Sequence, residues 1–396
     1  MTFPARFANL PAYAFPRLRA LLDGMAPGVA PAITMTIGEP RHPMPGFVGA
    51  VLAAHVAGFS RYPPNDGTPG LLDAIAAWVA RRYGVRLDPA RQIMAVNGTR
   101  EGLFNAILAL CPEELRGGRP AVLLPNPFYQ VYAVGTLAAG AEPVFVPATA
   151  ATGHLPDYTA LSPEVLGRTA LALICSPANP QGAVASEEYW RDLLALAERH
   201  GFRILSDECY SEIWRRAPPP GGLAMAAAAG ADPERVVVFN SLSKRSNMPG
   251  LRSGFVAGGP ACLTEMKRLR AYAGAPLPEP LQHVAEAAWR DEAHVAESHA
   301  LYAAKYAAAE AILGDVPGYL APEGGFFLWL PAPGRDGEAA AVRLWREVGV
   351  KVLPGAYLGR AVDGVNPGAG HIRVAMVAPL AEMREGLERL RRCLYD

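Results

Sequence analysis

The chain has 396 residues, 51% of them hydrophobic, and its 37 basic and 37 acidic residues leave no formal net charge. That length and apolar content exceed one ordinary core. They point to two domains, or a large one with a satellite, and exclude a disordered chain. With no Lys/Arg tract, nucleic acid and membrane surfaces are poor partners, and a small molecule is the expected one.

Cys111, Cys175, Cys209, Cys262 and Cys393 are far apart and form no CxxC pair, as expected of reduced thiols in a cytosol. The opening MTFPARFANLPAY lacks the apolar run of a signal peptide, and no uncharged apolar stretch reaches the roughly 20 residues of a membrane span. A soluble, cytoplasmic protein without a metal site is expected.

In chain order, residues 1–35 read as an arm with one short amphipathic helix, PRLRALLDGM. ITMTIGEPRHPMP reads as a short strand and a Pro/Gly-rich turn. PGFVGAVLAAHVAG and PGLLDAIAAWVARRYG read as helices, with Pro at their starts and Gly at their ends. Between them FSRYPPNDGTPG is a loop dense in turn residues.

From about 91 to 258 seven apolar strand candidates follow: QIMAVN, AVLLPN, EPVFVPA, ALALICS, FRILSDE, RVVVFNSL and GFVAGG. Helical stretches separate several of them: TREGLFNAILAL, FYQVYAVGTLAAG and SEEYWRDLLALAERHG. Continuous apolar strands alternating with helices predict an α/β fold: a mostly parallel seven-stranded sheet flanked by helices, with ligands at the strand ends. After about 263 come LTEMKRLRAYAG and a long helical stretch over 281–314. The strands GGFFLWLPA, VKVLPGAYL and HIRVAMV and a last helix, LAEMREGLERLRRCLYD, complete a smaller α+β unit. The expected division is an arm with part of the small domain over 1–45, a large domain over 46–280 and a small C-terminal domain over 281–396.

Four polar clusters sit at predicted strand ends. In VNGTREG, Gly98 and Thr99 open a helix whose free N–H groups and hydroxyl suit a phosphate, or simply cap the helix. In ICSPANPQG, Asn179 is a turn residue whose amide can donate to an anionic oxygen. In ILSDECY, Asp207 needs a cationic or N–H partner if buried, and Tyr210 follows three residues on. In FNSLSKRSNMPGLRSGFVAG, Lys244 can be a surface lysine, a phosphate clamp or a covalent amine, set among Ser241, Ser243 and Arg252.

Together and in this order, the clusters resemble the fold-type I pyridoxal-phosphate enzymes, specifically the aminotransferases, and the resemblance runs from IGEP to HIRVA. It implies that Lys244 bonds the cofactor aldehyde and later moves the substrate proton. Asp207 would pair with the ring nitrogen, keeping the ring an electron sink. Asn179 and Tyr210 would hydrogen-bond the ring 3-oxygen, and Tyr129, beside Phe128 in PNPFYQVY, would stack on the ring. Gly98, Thr99, Ser241, Ser243 and Arg252 would form the phosphate cup, with Tyr62 reaching the phosphate of a neighbouring subunit, so a homodimer is implied. Arg373 in HIRVAMV would bind the substrate carboxylate bidentately, close to the backbone of Gly38.

PNPFYQVY, SDECYSEIW, SLSKRSNMPGLRSGFVAG, PAYAFPRLRALL and VNGTREGLF further resemble the N-succinyl-L,L-diaminopimelate aminotransferases of lysine biosynthesis. That likeness implies amino transfer between N-succinyl-L,L-2,6-diaminopimelate and 2-oxoglutarate, with glutamate as donor. Gln181 stands where many relatives have Thr, and Gly259 where Asp is common. Arg41, Arg61 and Arg100 are candidates for the distal succinyl carboxylate. The alternatives are an aminotransferase for aspartate, alanine, methionine or aromatic amino acids, a cystathionine β-lyase of the same fold, and a regulator's sensory domain. The last is disfavoured, since no DNA-binding segment is attached.

Overall fold

The computed structural model describes residues 5–8, 10 and 12–396. Its centre is a seven-stranded sheet of β2 (Ile93–Val96), β3 (Ala121–Asn126), β4 (Glu142–Pro147), β5 (Thr169–Cys175), β6 (Arg203–Asp207), β7 (Val236–Ser241) and β8 (Gly254–Ala257). The strand order is β2-β8-β7-β6-β5-β3-β4, and only β8 runs antiparallel to its neighbours. All seven positions of TALALIC in β5 are buried. Such a strand must be apolar throughout because helices cover both faces.

The helices on this body are α2 (Val48–His55), α3 (Pro69–Tyr83), α4 (Pro89–Gln92), α5 (Thr99–Leu110), α6 (Val131–Ala138), α7 (Pro163–Gly167), α8 (Glu187–His200), α9 (Gly222–Ala229), α10 (Leu242–Arg245), α11 (Pro260–Arg270) and α12 (Glu279–Arg290); α1 (Ala14–Leu21) precedes them. Their ends obey local chemistry. The Thr68 hydroxyl caps α3 by accepting from the Leu71 N–H, and Pro69 occupies the first turn. Ser186 caps α8 at 3.1 Å from the Tyr189 nitrogen, and Gly201 ends that helix at φ +82°. One face of the sheet packs on a core containing Trp78, Trp190 and Trp289; the other on Ile107, Tyr132 and Phe239.

The smaller unit contains the antiparallel sheet β11-β12-β9, from β9 (Phe327–Pro331), β11 (Leu353–Pro354) and β12 (His371–Ala375), and a parallel pair of β1 (Ile33–Thr34) with β10 (Val350–Lys351). It is built with α13 (Ala293–Leu313), α14 (Gly337–Val348) and α15 (Leu380–Leu394).

Three details depart from the sequence reading. The helical stretch 281–314 breaks at Asp291–Glu292 into α12, which packs on α2 and α3, and α13, which packs on α15. VKVLPGAYL divides because β10 pairs with β1 while β11 pairs with β12. Helix α14 was not anticipated, although Asp336 caps it by accepting from the Glu338 and Ala339 N–H groups at 3.0 Å. Among the described residues, no helix is long and apolar enough to cross a membrane.

Candidate active site

Because β8 runs against its neighbours, its N-terminus lies beside the C-terminal ends of β2 and β7. The sheet therefore gathers Gly98, Asp207, Ser241 and Arg252 at one edge, where a cavity of about 500 Å³ opens. Gly38, Thr99, Tyr129, Asn179, Asp207, Tyr210, Ser241, Ser243, Lys244, Arg252 and Arg373 all line it. Gly98 lies behind the lining, against Arg252. Tyr62 is fully exposed and does not line the cavity.

Lys244 sits on α10, directly after β7. Its Nζ donates to the Gly38 carbonyl. Burial pushes the amine down to about 8; Cys209 and Glu39 pull it up, while Arg373 and Arg252 reinforce the drop. Gly38 is required here, because a Cβ would lie 2.5 Å from Phe327 Cζ.

Asp207 is 3% exposed at the end of β6. Its Oδ2 accepts from the Tyr132 hydroxyl at 2.7 Å, and its Oδ1 from the Cys209 N–H at 3.3 Å. Burial raises its proton affinity, against the opposing pull of Tyr132, Cys209 and Lys244. A carboxylate so placed calls for a further positively polarised donor from the cavity side.

A corner with free backbone N–H groups lies between α5 and the β7–β8 connection. Gly98 has φ +82°, and a Cβ there would fall 2.5 Å from Arg252 Nη2. Helix α5 begins at Thr99, so the first-turn N–H groups of Thr99 and Arg100 have no intrahelical acceptor. Arg252 adopts the left-handed conformation, φ +58°, which a residue with a Cβ rarely enters. Its guanidinium is tied to the Asn97 carbonyl at 2.9 Å and the Pro249 carbonyl at 3.0 Å. Ser241 also caps α10, accepting from the Ser243 N–H at 3.1 Å.

Arg373 is 5% exposed on β12. Nη1 donates to Asn179 Oδ1 at 3.1 Å and Nη2 to the Thr36 carbonyl at 2.7 Å. The buried Nε has no partner among the described residues. The guanidinium lies 4.1 Å from the Phe327 ring centroid, and burial lowers it to about 10. The structure thus joins Arg373 and Asn179, two residues separated by 194 positions in the chain.

Tyr129 and Phe128 both line the cavity. Arg100 donates from Nε to the Tyr129 hydroxyl at 2.7 Å, and its Nη2 lies 3.4 Å from the Tyr13 hydroxyl. Arg41 and Arg61 do not line the cavity. They pair instead with Glu382 at 2.6 Å and Glu279 at 3.3 Å. Sequence reasoning missed Tyr132, Thr36 and Phe327. Tyr132 stands three residues beyond Tyr129, and only the spatial contact with Asp207 distinguishes it from a core tyrosine.

These groups fit pyridoxal phosphate. The amine, the underbonded carboxylate and the open amide corner match an aldehyde, a ring N–H and a phosphate. Arg373 lines the same cavity, and a guanidinium there suits a substrate carboxylate.

The model of the family described as aminotransferase class I and II matches residues 31–390. The LL-diaminopimelate aminotransferase of Desulforudis audaxviator is 34% identical over 399 residues, covering 98% of this chain and 97% of that protein. An aminotransferase structure from Neisseria meningitidis is similar with a TM-score of 0.93 and 38% identity, covering 98% of this chain and 99% of that one. A probable N-succinyldiaminopimelate aminotransferase from Thermus thermophilus gives a TM-score of 0.83 at 28% identity, covering 96% and 98%.

Proposed function

This chain belongs to the aminotransferase class I and II family and is a pyridoxal-phosphate enzyme, and we propose that it interconverts N-succinyl-L,L-2,6-diaminopimelate plus 2-oxoglutarate with N-succinyl-2-amino-6-oxopimelate plus glutamate, a step of lysine biosynthesis. Glutamate is the amino donor in the biosynthetic direction. One observation carries the choice of substrate. Of the cations lining the cavity, Arg252 and Lys244 serve the cofactor and Arg373 the α-carboxylate, which leaves Arg100, held by the Tyr129 and Tyr13 hydroxyls and paired with no acid among the described residues, for a distal carboxylate. A substrate anionic at both ends suits that lining.

The bound cofactor supplies an aldehyde to join the amino group and a ring that takes up negative charge. The protein's own residues do the rest. Arg373 receives the α-carboxylate, with Asn179 and the Thr36 carbonyl holding the guanidinium in place. Lys244 Nζ, lowered toward neutrality by burial, takes the α-hydrogen as a proton and returns one in the reverse half-reaction. Asp207, steadied by Tyr132, would hold the protonated ring nitrogen. Gly98, Thr99, Ser241, Ser243 and Arg252 would hold the phosphate, Tyr129 would stack on the ring, and Asn179 and Tyr210 would donate to its 3-oxygen. Arg100, between Tyr129 and Tyr13, takes the distal carboxylate.

A second reading is transfer from unsuccinylated L,L-diaminopimelate, favoured by the relative of that name at 34% identity over nearly the whole chain. Against it, the one carboxylate among the described residues lining the cavity is Asp207, which already accepts from Tyr132, and Glu39 acts on Lys244 from outside that lining. Separate single-turnover runs with the two compounds decide between them. Faster conversion of the bound cofactor by the succinylated compound is expected, and conversion by L,L-diaminopimelate alone discards the proposal. Arg100→Ala should raise KM for the succinylated substrate about tenfold, the loss of roughly 1.5 kcal/mol in one charged hydrogen bond. An unchanged KM removes Arg100 from the site.

We also propose that two copies associate, each lending its exposed Tyr62 to the other's phosphate site. Equilibrium sedimentation should return twice the 42.0 kDa chain mass; a monomer with full activity refutes it.

A further inference from the structure

Lys244 is carried by α10, a helix of four residues. One turn cannot hold itself, so something else must fix it. The three residues after Lys244 each hook into the corner between α12 and α13. Arg245 is 3% exposed and donates to the Ala288 carbonyl at 2.7 Å, the Asp291 carbonyl at 3.3 Å and Glu292 Oε1 at 2.7 Å. Its guanidinium lies 4.9 Å from the Trp289 ring centroid. The Ser246 hydroxyl is 2.8 Å from His294 Nε2, and His294 Nδ1 is 2.5 Å from Asp291 Oδ1. Asn247 Nδ2 lies 3.3 Å from the Ser298 hydroxyl.

Asp291, His294 and Ser246 are joined as in a Ser–His–Asp hydrolytic triad. Hydrolysis is ruled out by burial. Ser246 is 0% exposed and is not among the residues lining the cavity, so no substrate reaches its hydroxyl. Asp291 accepts from Nδ1–H, which assigns the Nε2 lone pair to the Ser246 hydroxyl. Burial lowers the proton affinity of His294, and Arg245 adds to this; Asp291 and Glu292 oppose it. The neutral imidazole keeps this tautomer.

We propose that Asp291, His294 and Ser246, with the Arg245–Glu292 pair, are positioning residues for Lys244, holding α10 against the α12–α13 corner so that Nζ stays directed at the Gly38 carbonyl. The inference rests on Lys244 being the reactive amine. Without the clamp, α10 shifts and water reaches Nζ. The groups that act on Nζ are Cys209, Glu39, Arg373 and Arg252, and none belongs to the clamp, so their fields remain.

The test uses the holoenzyme with Ser246→Ala, His294→Ala and His294→Gln. Four quantities are read: kcat and KM for L-glutamate, the pH midpoint of kcat, the pH dependence of the bound cofactor's absorbance, and Tm. Ser246→Ala and His294→Ala should lower kcat about 10- to 100-fold, as expected of a misplaced reacting group, with KM changed less than about twofold. Both pH midpoints should rise by about half a unit to one unit, because a better-hydrated Lys244 nitrogen holds its proton more firmly, whether free during turnover or joined to the cofactor in the absorbance. His294→Gln, whose amide oxygen can accept from Ser246, should recover most of kcat. If both alanine variants lower Tm but leave kcat and the pH midpoints unchanged, the corner is only structural and the inference is overturned. If His294→Ala does not fold, Ser246→Ala decides, since it removes one oxygen. Lys244→Ala is the control. Its retaining turnover sinks the reading of Lys244 itself, whereas its inactivity beside normal Ser246→Ala sinks only the positioning role.

Discussion

Lys244→Ala should lower kcat for glutamate by about 10²–10⁴-fold, the range for loss of a positioned proton-transfer group, and should abolish the covalent capture of added pyridoxal phosphate. Lys244→Arg should be no better, because a guanidinium does not give up its proton near neutrality. The pH dependence follows from the sign of the shift. Burial brings the amine down from 10.5 to about 8, so the reactive neutral form is gained as pH rises through 8. Capture of pyridoxal phosphate by the cofactor-free protein should accelerate from pH 6 to 9 with its midpoint near 8. A midpoint above 10, or a Lys244→Ala enzyme within about tenfold of the parent, would show that another amine does the chemistry.

Arg373→Ala should reduce kcat/KM for glutamate by about 2–5 kcal/mol, roughly 30- to 5,000-fold, the cost of removing one partner from a buried charge pair. The loss arises because the substrate carboxylate would enter a buried site without its fork. Arg373→Lys should fall between the parent and Arg373→Ala, keeping the charge but not the planar geometry. An amine substrate lacking the α-carboxylate should be turned over equally by parent and variant. If that amine loses as much rate as glutamate, Arg373 holds the fold around Phe327 and Asn179 rather than the substrate. Measuring Tm beside the kinetics separates the two causes.

Much of the large sheet was legible in the chain. Strands buried on both faces must be apolar along their whole length, so TALALIC and VVVFNS are conspicuous, and helix caps such as Ser186 and Gly201 are local chemistry. The polar residues at those strand ends therefore stood out as a group. The smaller unit was harder to read. Its strands are two to five residues long, and one extended segment, Val350–Pro354, serves two different sheets. Helix α14 is missed although its Asp336 cap and the left-handed Gly349 at its end are the same local chemistry that marks α8.

The sequence by itself determined the alternation of strand and helix, the residues at the strand ends and their resemblance to a pyridoxal-phosphate site, because periodicity and turn chemistry act over a few residues. Only the tertiary structure decided which distant groups meet. The Tyr132 hydroxyl on Asp207, Asn179 and Thr36 around Arg373, and the α12–α13 corner behind Lys244 join positions 75 to 337 residues apart, or hook one turn into a remote corner. Arg41, Arg61 and Arg100 were equivalent as letters, and packing paired two with glutamates and left one at the cavity. Such contacts depend on how layers stack and on which polar atoms burial leaves in need of a partner, and no local pattern in the chain encodes either.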